Sequence, residues 1–304
     1  MTARVWTAAL LNTATEVLAR PLPHGRGSVH CGLHRTARVG KRIPQAIWVL
    51  CLVAMALGAQ PPGPPQPPRS AKASAPVDLT GYWVSVVSED WRWRMVTPIK
   101  GDFASIPVNA EARKVGDAWD PAKDEAAGEQ CKAYGAPAIM RVPGRVHITW
   151  QDEDTLKIET DAGKQTRLFH FAPAGGPPPR APQGMAPAWQ GYSAANWERP
   201  LMGAELPDPV PIFATRDGLR GRSLEVATAN LRPGYLRKNG VPYSAGAAVN
   251  EYYDYHKERN GDEWFTVTTI VRDPQYLTGP WITSSDFKKE ADGSKLDPSP
   301  CTAR

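Results

Sequence analysis

The sequence predicts an all-β domain with minor helix, an antiparallel β-barrel of about eight strands with one or two short helices. Three observations predict it. Beyond residue 78, apolar and polar residues alternate with period two in segment after segment, the pattern of strands with one buried face. Short runs of Gly, Asp, Asn and Pro separate those segments, and such tight turns join antiparallel neighbours. Helical periodicity is scarce.

The elements follow in order. Residues 82–87 make a first short strand. Asn109 can cap a short helix running to about residue 118, with Val115 and Trp119 inward and Asp120-Pro121 as its stop. Residues 121–130 can add a turn or two. Strands at 145–150, 155–160 and 165–171, parted by Asp152-Glu153-Asp154 and by a turn at 161–164, form a meander. Four more follow at 223–228, 248–255, 263–271 and 281–287, with Asn260-Gly261-Asp262 as a hairpin signal. Residues 171–188 and 200–211 are dense in Pro and Gly and read as loops. An open sheet with a wet outer face would show the same alternation. Closure is preferred because it hides the edges of an exported β protein.

The formal charge of +5 reflects the front of the chain. Residues 1–59 carry seven Lys/Arg and one acid, which leaves 29 bases and 30 acids in the remainder. A near-neutral domain does not carry a nucleic-acid footprint. Arg38-Val39-Gly40-Lys41-Arg42 is a positive stretch, and the apolar run to Ala59 follows it. This is the order of a secretory signal, so residues 38–59 are read as a signal peptide cleaved after Ala59, against the alternative of an uncleaved anchor. No stable membrane span is then expected after cleavage. Residues 1–37 fit no targeting logic and are read as an over-extended start. Residues 60–77, rich in Pro, are read as a solvated linker, and residues 78–304 as one barrel domain. The expected location is periplasmic or secreted.

Four cysteines are present, and two of them, Cys131 and Cys301, lie beyond Ala59. An even pair in an exported protein favours one disulfide over two free thiols. No CxxC, HExxH or Cys/His cluster is present, so no metal and no cofactor is expected.

Several blocks occur in a fixed order: Cys131-Lys-Ala-Tyr-Gly-Ala-Pro137 with Met140, Trp189-Gln-Gly191-Tyr-Ser193 with Trp197-Glu198, Gly240-Val-Pro242-Tyr-Ser244, Asp273-Pro274, and the closing Cys301. In that order they resemble a large family of exported, functionally uncharacterised bacterial proteins. The resemblance spans about Gly128 to Cys301, and it implies fold and export rather than a reaction. The chain departs from the pattern after Glu198, where Arg199-Pro200 begins an insertion. Gly81-Tyr82-Trp83 is also similar to the opening Gly-x-Trp of lipocalin-like barrels, a shorter match.

Candidate site residues follow from chemistry. In Trp91-Arg92-Trp93-Arg94, strand alternation would place both Trp on one face and both Arg on the other. One reading is an aromatic wall, Trp91 and Trp93, with Arg94 pairing an anion. The plainer reading has the Trp side chains capping the core and the Arg side chains wet. Trp197, in the Trp-Glu block, is a further candidate aromatic wall. Tyr235, Arg237 and Tyr243 lie in a Gly/Pro-containing stretch read as a mobile loop at the barrel mouth, with a structural turn as the alternative. Arg141 and Arg167 are cations in β-rich surroundings that would need carboxylates, with Asp161 or Glu198 as expected partners. His147 and His170 fall on meander strands. Either could line a pocket, and isolated His residues are more often surface or hydrogen-bonded sheet residues.

Three functions are weighed. The first is a secreted barrel that holds a small apolar or aromatic ligand, with or without one anionic group, a reading that a fully packed interior with no pocket would remove. The second is a hydrolase or isomerase using a His–carboxylate pair from His147, His170, Asp161 or Glu251, which would show as such a pair inside a cleft. The third is a structural envelope protein, which would show as an exposed apolar patch. Ligand identity and oligomeric state are left open.

Overall fold

The computed structural model describes residues 69–173, 176–198 and 223–304. The expected start, signal peptide, most of the linker and the loop at 200–211 lie outside the described residues.

Nine strands close a barrel: β1 (Gly81–Val86), β2 (Arg145–Trp150), β3 (Thr155–Thr160), β5 (Thr166–Phe171), β6 (Tyr192–Trp197), β7 (Ser223–Ala229), β10 (Ala248–Lys257), β11 (Glu263–Arg272) and β12 (Trp281–Glu290). Their order is β1-β12-β11-β10-β7-β6-β5-β3-β2, with β2 returning to β1. The eight alternating segments all become barrel strands. The expectation is corrected in two respects. The barrel has a ninth strand, β6, whose Tyr-Ser-Ala-Ala-Asn-Trp is too small and polar to announce itself by alternation. It is also mixed rather than antiparallel, because β6 pairs β5 in parallel through Phe169↔Ser193 and Phe171↔Ala195. A parallel neighbour needs a long crossover, and the Pro-rich chain between β5 and β6 is that connection. β4 (Ala162–Gly163) and β13 (Ser299–Pro300) pair in parallel beside the barrel, and β8 (Gly234–Arg237) and β9 (Val241–Tyr243) form a separate hairpin.

Inward positions alternate with outward ones, as the pleat requires. In β11, Phe265, Val267, Thr269 and Val271 are buried. Side chains fill the lumen. Phe169 meets Tyr253 edge-on at 5.6 Å, Phe265 stacks on Phe287 at 4.7 Å, and Trp83 meets Phe265 edge-on at 4.8 Å. Burying such an aliphatic or aromatic side chain contributes about 1.5–3 kcal/mol. Above this aromatic floor runs a polar layer, with Arg167, Glu251, Ser193, Thr228, Thr269, Thr283 and Ser285 all buried.

A cap closes the end where β10 and β12 begin. It consists of α1 (Trp91–Arg94), α2 (Ala110–Ala118), α3 (Pro121–Ala126), short 3-10 turns at Gln130–Tyr134 and Ile139–Arg141, and the β8–β9 hairpin. Its apolar side, including Phe103, Ile106, Ala112, Leu236, Val241 and Tyr243, packs with Val249, Val271 and Trp281 of the barrel. Asn109 caps α2 by accepting from Ala112 N at 2.9 Å, and Asp120 caps α3 by accepting from Ala122 N at 3.1 Å. Two local readings are corrected here. Residues 91–94 form a helical turn, not a strand, since Trp93 N and Arg94 N both donate to Asp90 O. The stretch at 234–243 is a buried hairpin rather than a mobile loop. Gly240 makes its turn at φ +84°, and a Cβ there would lie 2.2 Å from the Trp119 ring.

The end of the segment read as linker packs on the barrel. Ala71 is buried, its N–H donates to Asp154 Oδ1 at 2.8 Å, and its carbonyl accepts from Trp197 Nε1 at 3.1 Å. Cys131 and Cys301 form a disulfide with Cα atoms 5.1 Å apart and a sequence separation of 170. It ties the C-terminus to the cap beside the β4–β13 pair. Several motif residues are architectural. Asp273 accepts from Ser244 N at 2.6 Å and Ser244 Oγ at 2.8 Å, Gln190 Nε2 donates to Tyr134 O at 2.7 Å, and Ser193 and Thr228 hydroxyls meet at 2.7 Å.

Candidate binding pocket in the barrel cap

Four residues singled out from sequence meet at one place. Trp93, Arg94, Arg141 and Arg237 line a partly open cavity of about 300 Å³ in the cap, together with Met95–Pro98, Ala133, Ala138, Val142, Pro143, Leu236 and Lys238. Three elements supply the arginines. The helical turn α1 ends on Arg94, the 3-10 turn Ile139–Arg141 presents Arg141, and the end of β8 presents Arg237. The lining holds four cations and no carboxylate.

The carboxylates that serve these cations stand behind the wall. Arg94 Nη1 reaches Glu89 Oε1 at 2.6 Å, Nη2 reaches Ser85 Oγ at 3.0 Å, and Nε reaches Arg141 O at 3.0 Å, so each of its three nitrogens has a partner. Arg141 Nη2 donates to Asp90 Oδ2 at 3.0 Å, and its guanidinium lies 5.1 Å from the Trp281 ring. Neither Asp161 nor Glu198 is its partner. Asp161 instead accepts from Arg145 N at 2.7 Å and Ala162 N at 2.5 Å, closing the turn after β3.

Arg237 differs from the other two. Its Nη1 donates to Ala104 O at 2.8 Å and its Nη2 to Ser105 Oγ at 2.7 Å, while its guanidinium lies 5.1 Å from the Trp93 ring. Ser105 holds a left-handed backbone at φ 62°, the sort of local strain found where a side chain must be aimed. Among the described residues no carboxylate lies within ion-pair distance of Arg237. Burial pushes its guanidinium down to about 10, and the Arg141 charge adds to the effect. Burial lowers Arg94 and Arg141 too. All three remain cationic at neutral pH. Two buried N–H donors, Arg141 Nη1 and Arg237 Nε, have no acceptor among the described residues.

The other candidates lie elsewhere. Trp91 is 67% exposed, outside the cavity. Arg167 sits at the barrel centre, fully buried, and donates to Glu251 Oε1 at 2.8 Å and Oε2 at 2.6 Å, not to Asp161 or Glu198. Trp197 packs on Phe171 at the opposite end of the lumen. Tyr235 donates to Asp124 Oδ2 at 2.9 Å on the cap, and Tyr243 is buried in the cap core. Burial raises both phenols, with the Asp124 bond reinforcing it for Tyr235. His147 stacks on Tyr82 and faces Glu159 across β2–β3 at 3.6 Å, with Glu159 41% exposed. His170 stacks on Tyr192. The one His–carboxylate approach among these is therefore on an open sheet face, not in a cleft. Glu251 is committed to Arg167.

Sequence reading missed Lys238, the Met95–Pro98 wall, and the anchoring roles of Glu89, Asp90 and Ser105. Lys238 directly follows Arg237, and two acids directly precede Trp91, so adjacency was the available signal. Among the described residues no group of three or more His, Cys, Asp or Glu is arranged to hold a metal. Nor is any helix among them long and apolar enough to cross a membrane.

No protein-family model matches the chain, and searches of curated proteins and of solved structures return no match.

Proposed function

We propose that this protein is an exported β-barrel that binds a small ligand with an apolar body and one anionic group, and that the cap cavity is the binding site. The observation that carries the reading is a cavity wall with four cations and no carboxylate, set beside Trp93, Leu236 and the Met95–Pro98 edge. A cavity of about 300 Å³ is at the small end of ligand pockets. Four cations with no carboxylate among them favour a carboxylate, sulfonate or phosphate head. The aromatic and aliphatic edge favours an apolar remainder. The lumen itself is occupied by its own aromatic side chains, so the ligand binds above the barrel rather than within it.

Export is supported by the apolar leader after Arg38–Arg42 and by the Cys131–Cys301 disulfide, which suits an oxidising compartment. The motif resemblance to exported bacterial proteins points the same way.

The test compares octanoate with octanol, which share a chain and differ in head-group charge. Octanoate should raise the melting temperature in a dose-dependent manner and octanol should not. Arg237→Met should abolish the octanoate shift while leaving the unliganded melting temperature within a few degrees. Equal shifts from both probes, no shift from either, or an undiminished shift in Arg237→Met would overturn the proposal.

A further inference from the structure

The envelope-protein alternative named an exposed apolar patch as its signature, and one exists. Six large hydrophobic residues are exposed among the described residues, and four of them fall within nine positions: Trp91 at 67%, Met95 at 60%, Val96 at 66% and Ile99 at 79%. Clustered exposure of this kind marks an interaction surface, whereas single exposed apolar residues do not.

The segment is not loose. Asn239, itself fully buried, donates from Nδ2 to Ile99 O at 3.0 Å and to Asp102 O at 2.9 Å. Trp93 Nε1 donates to Asp102 Oδ2 at 3.2 Å. The hairpin thus holds the loop in place with its apolar side chains turned outward.

The surrounding charge identifies the occupant. Arg92 is 71% exposed beside the patch, its nearest carboxylate, Asp102, is 3.8 Å away, and Lys100 is exposed next to Ile99. The local acids Glu89 and Asp90 are spent on Arg94 and Arg141. What the segment shows to solvent is therefore Trp, Met, Val and Ile with a positive rim. That combination suits the headgroup boundary of an anionic bilayer, where apolar tips insert and cations meet phosphates.

We propose that the 91–100 segment docks the protein peripherally onto anionic phospholipid membranes. The cap cavity shares the Met95–Pro98 wall with this segment, so docking brings the cavity mouth to the lipid. The docking does not depend on what the cavity binds.

Hydrogen–deuterium exchange of the full chain tests it site by site, so any contribution of the leader is read separately. The probes are vesicles of phosphatidylcholine alone and vesicles with about one third phosphatidylglycerol. Exchange across residues 91–100 should slow on the anionic vesicles, less on the neutral ones, and the effect should weaken with salt. Val96→Glu with Ile99→Glu should cut the vesicle affinity roughly tenfold or more, with exchange in β12 unchanged as the control for folding. Arg237→Ala should keep the slowing, which separates failure of the pocket from failure of docking. No slowing on either vesicle, equal slowing on both, or slowing that grows with protein concentration in the absence of lipid would overturn the proposal, the last by showing a second copy of the chain on the patch.

Discussion

Arg167 and Glu251 form a two-pronged ion pair at the centre of the barrel, 2.8 and 2.6 Å, with neither side chain exposed to solvent. The pair links β5 to β10, which are not neighbours, so it spans the lumen. Tyr253 Oη donates to Glu251 Oε1 at 3.2 Å, and Thr228 Oγ1 lies 3.4 Å from Arg167 Nη2. Glu251 holds the Arg167 guanidinium far above its ordinary range despite burial, and Tyr253 is raised by burial and by the Glu251 charge. Two charges taken out of water this completely are tolerated only as a pair.

Removing one member should therefore cost more than removing both. Glu251→Gln leaves the guanidinium buried without a countercharge and should lower unfolding stability by about 3–5 kcal/mol. Arg167→Met with Glu251→Leu should recover most of that loss. Urea titration of the three chains checks this, and a double variant that loses as much as Glu251→Gln or more would mean that the pair is not coupled.

The fold was legible wherever one strand face is wet. The alternation in Arg145–Trp150 and Glu263–Arg272 located those strands directly, because the buried Val146, Ile148, Phe265 and Val267 sit two residues apart. β6 was not legible, since Ser193 and Ala195 point inward and their small side chains give no amphipathic contrast. The Trp91–Arg94 string misled because four residues satisfy a strand pattern and a helical turn equally well. Of the pocket, the three arginines were legible as cations in unusual surroundings. Their convergence was not, since Arg94, Arg141 and Arg237 come from three cap elements that only the tertiary fold brings together.

The disulfide should matter in proportion to the loop it closes. With Cys131 and Cys301 separated by 170 in sequence, the chain-entropy picture gives about 5 kcal/mol. Cys131→Ser with Cys301→Ser should lower the urea midpoint and steepen the slope, because the unfolded chain without its cross-link is more expanded, and dithiothreitol should reproduce this in the native chain. An unchanged midpoint would show that β13 and Tyr134 anchor the C-terminus without it.

Gly240 joins β8 to β9 in a conformation that favours glycine, and the Trp119 ring occupies the space of a side chain. Gly240→Ala adds left-handed strain of about 1 kcal/mol and an overpacking cost of about 1–3 kcal/mol. The loss should exceed that for Gly261→Ala, which has the same sign of φ and nothing within 4 Å of its Cβ position. Because the hairpin also positions Arg237, the Gly240 variant should lose octanoate binding at temperatures where it is still folded.

His170 supplies the pH dependence with the clearest sign. Burial against Tyr192 lowers its pKa, only partly opposed by Asp152. A histidine whose folded pKa lies below its unfolded value of about 6.5 binds protons more readily when unfolded. Its contribution is therefore fully present above that value and is lost as the pH falls through the folded pKa. Stability should decline on the acid side of about pH 6.5 with a component that His170→Gln removes. Chemical denaturation from pH 5 to 8 checks this. If His170→Gln and the parent chain fall in parallel, the acid sensitivity belongs to other groups, and the stacked imidazole is only a packing element of the β5–β6 seam.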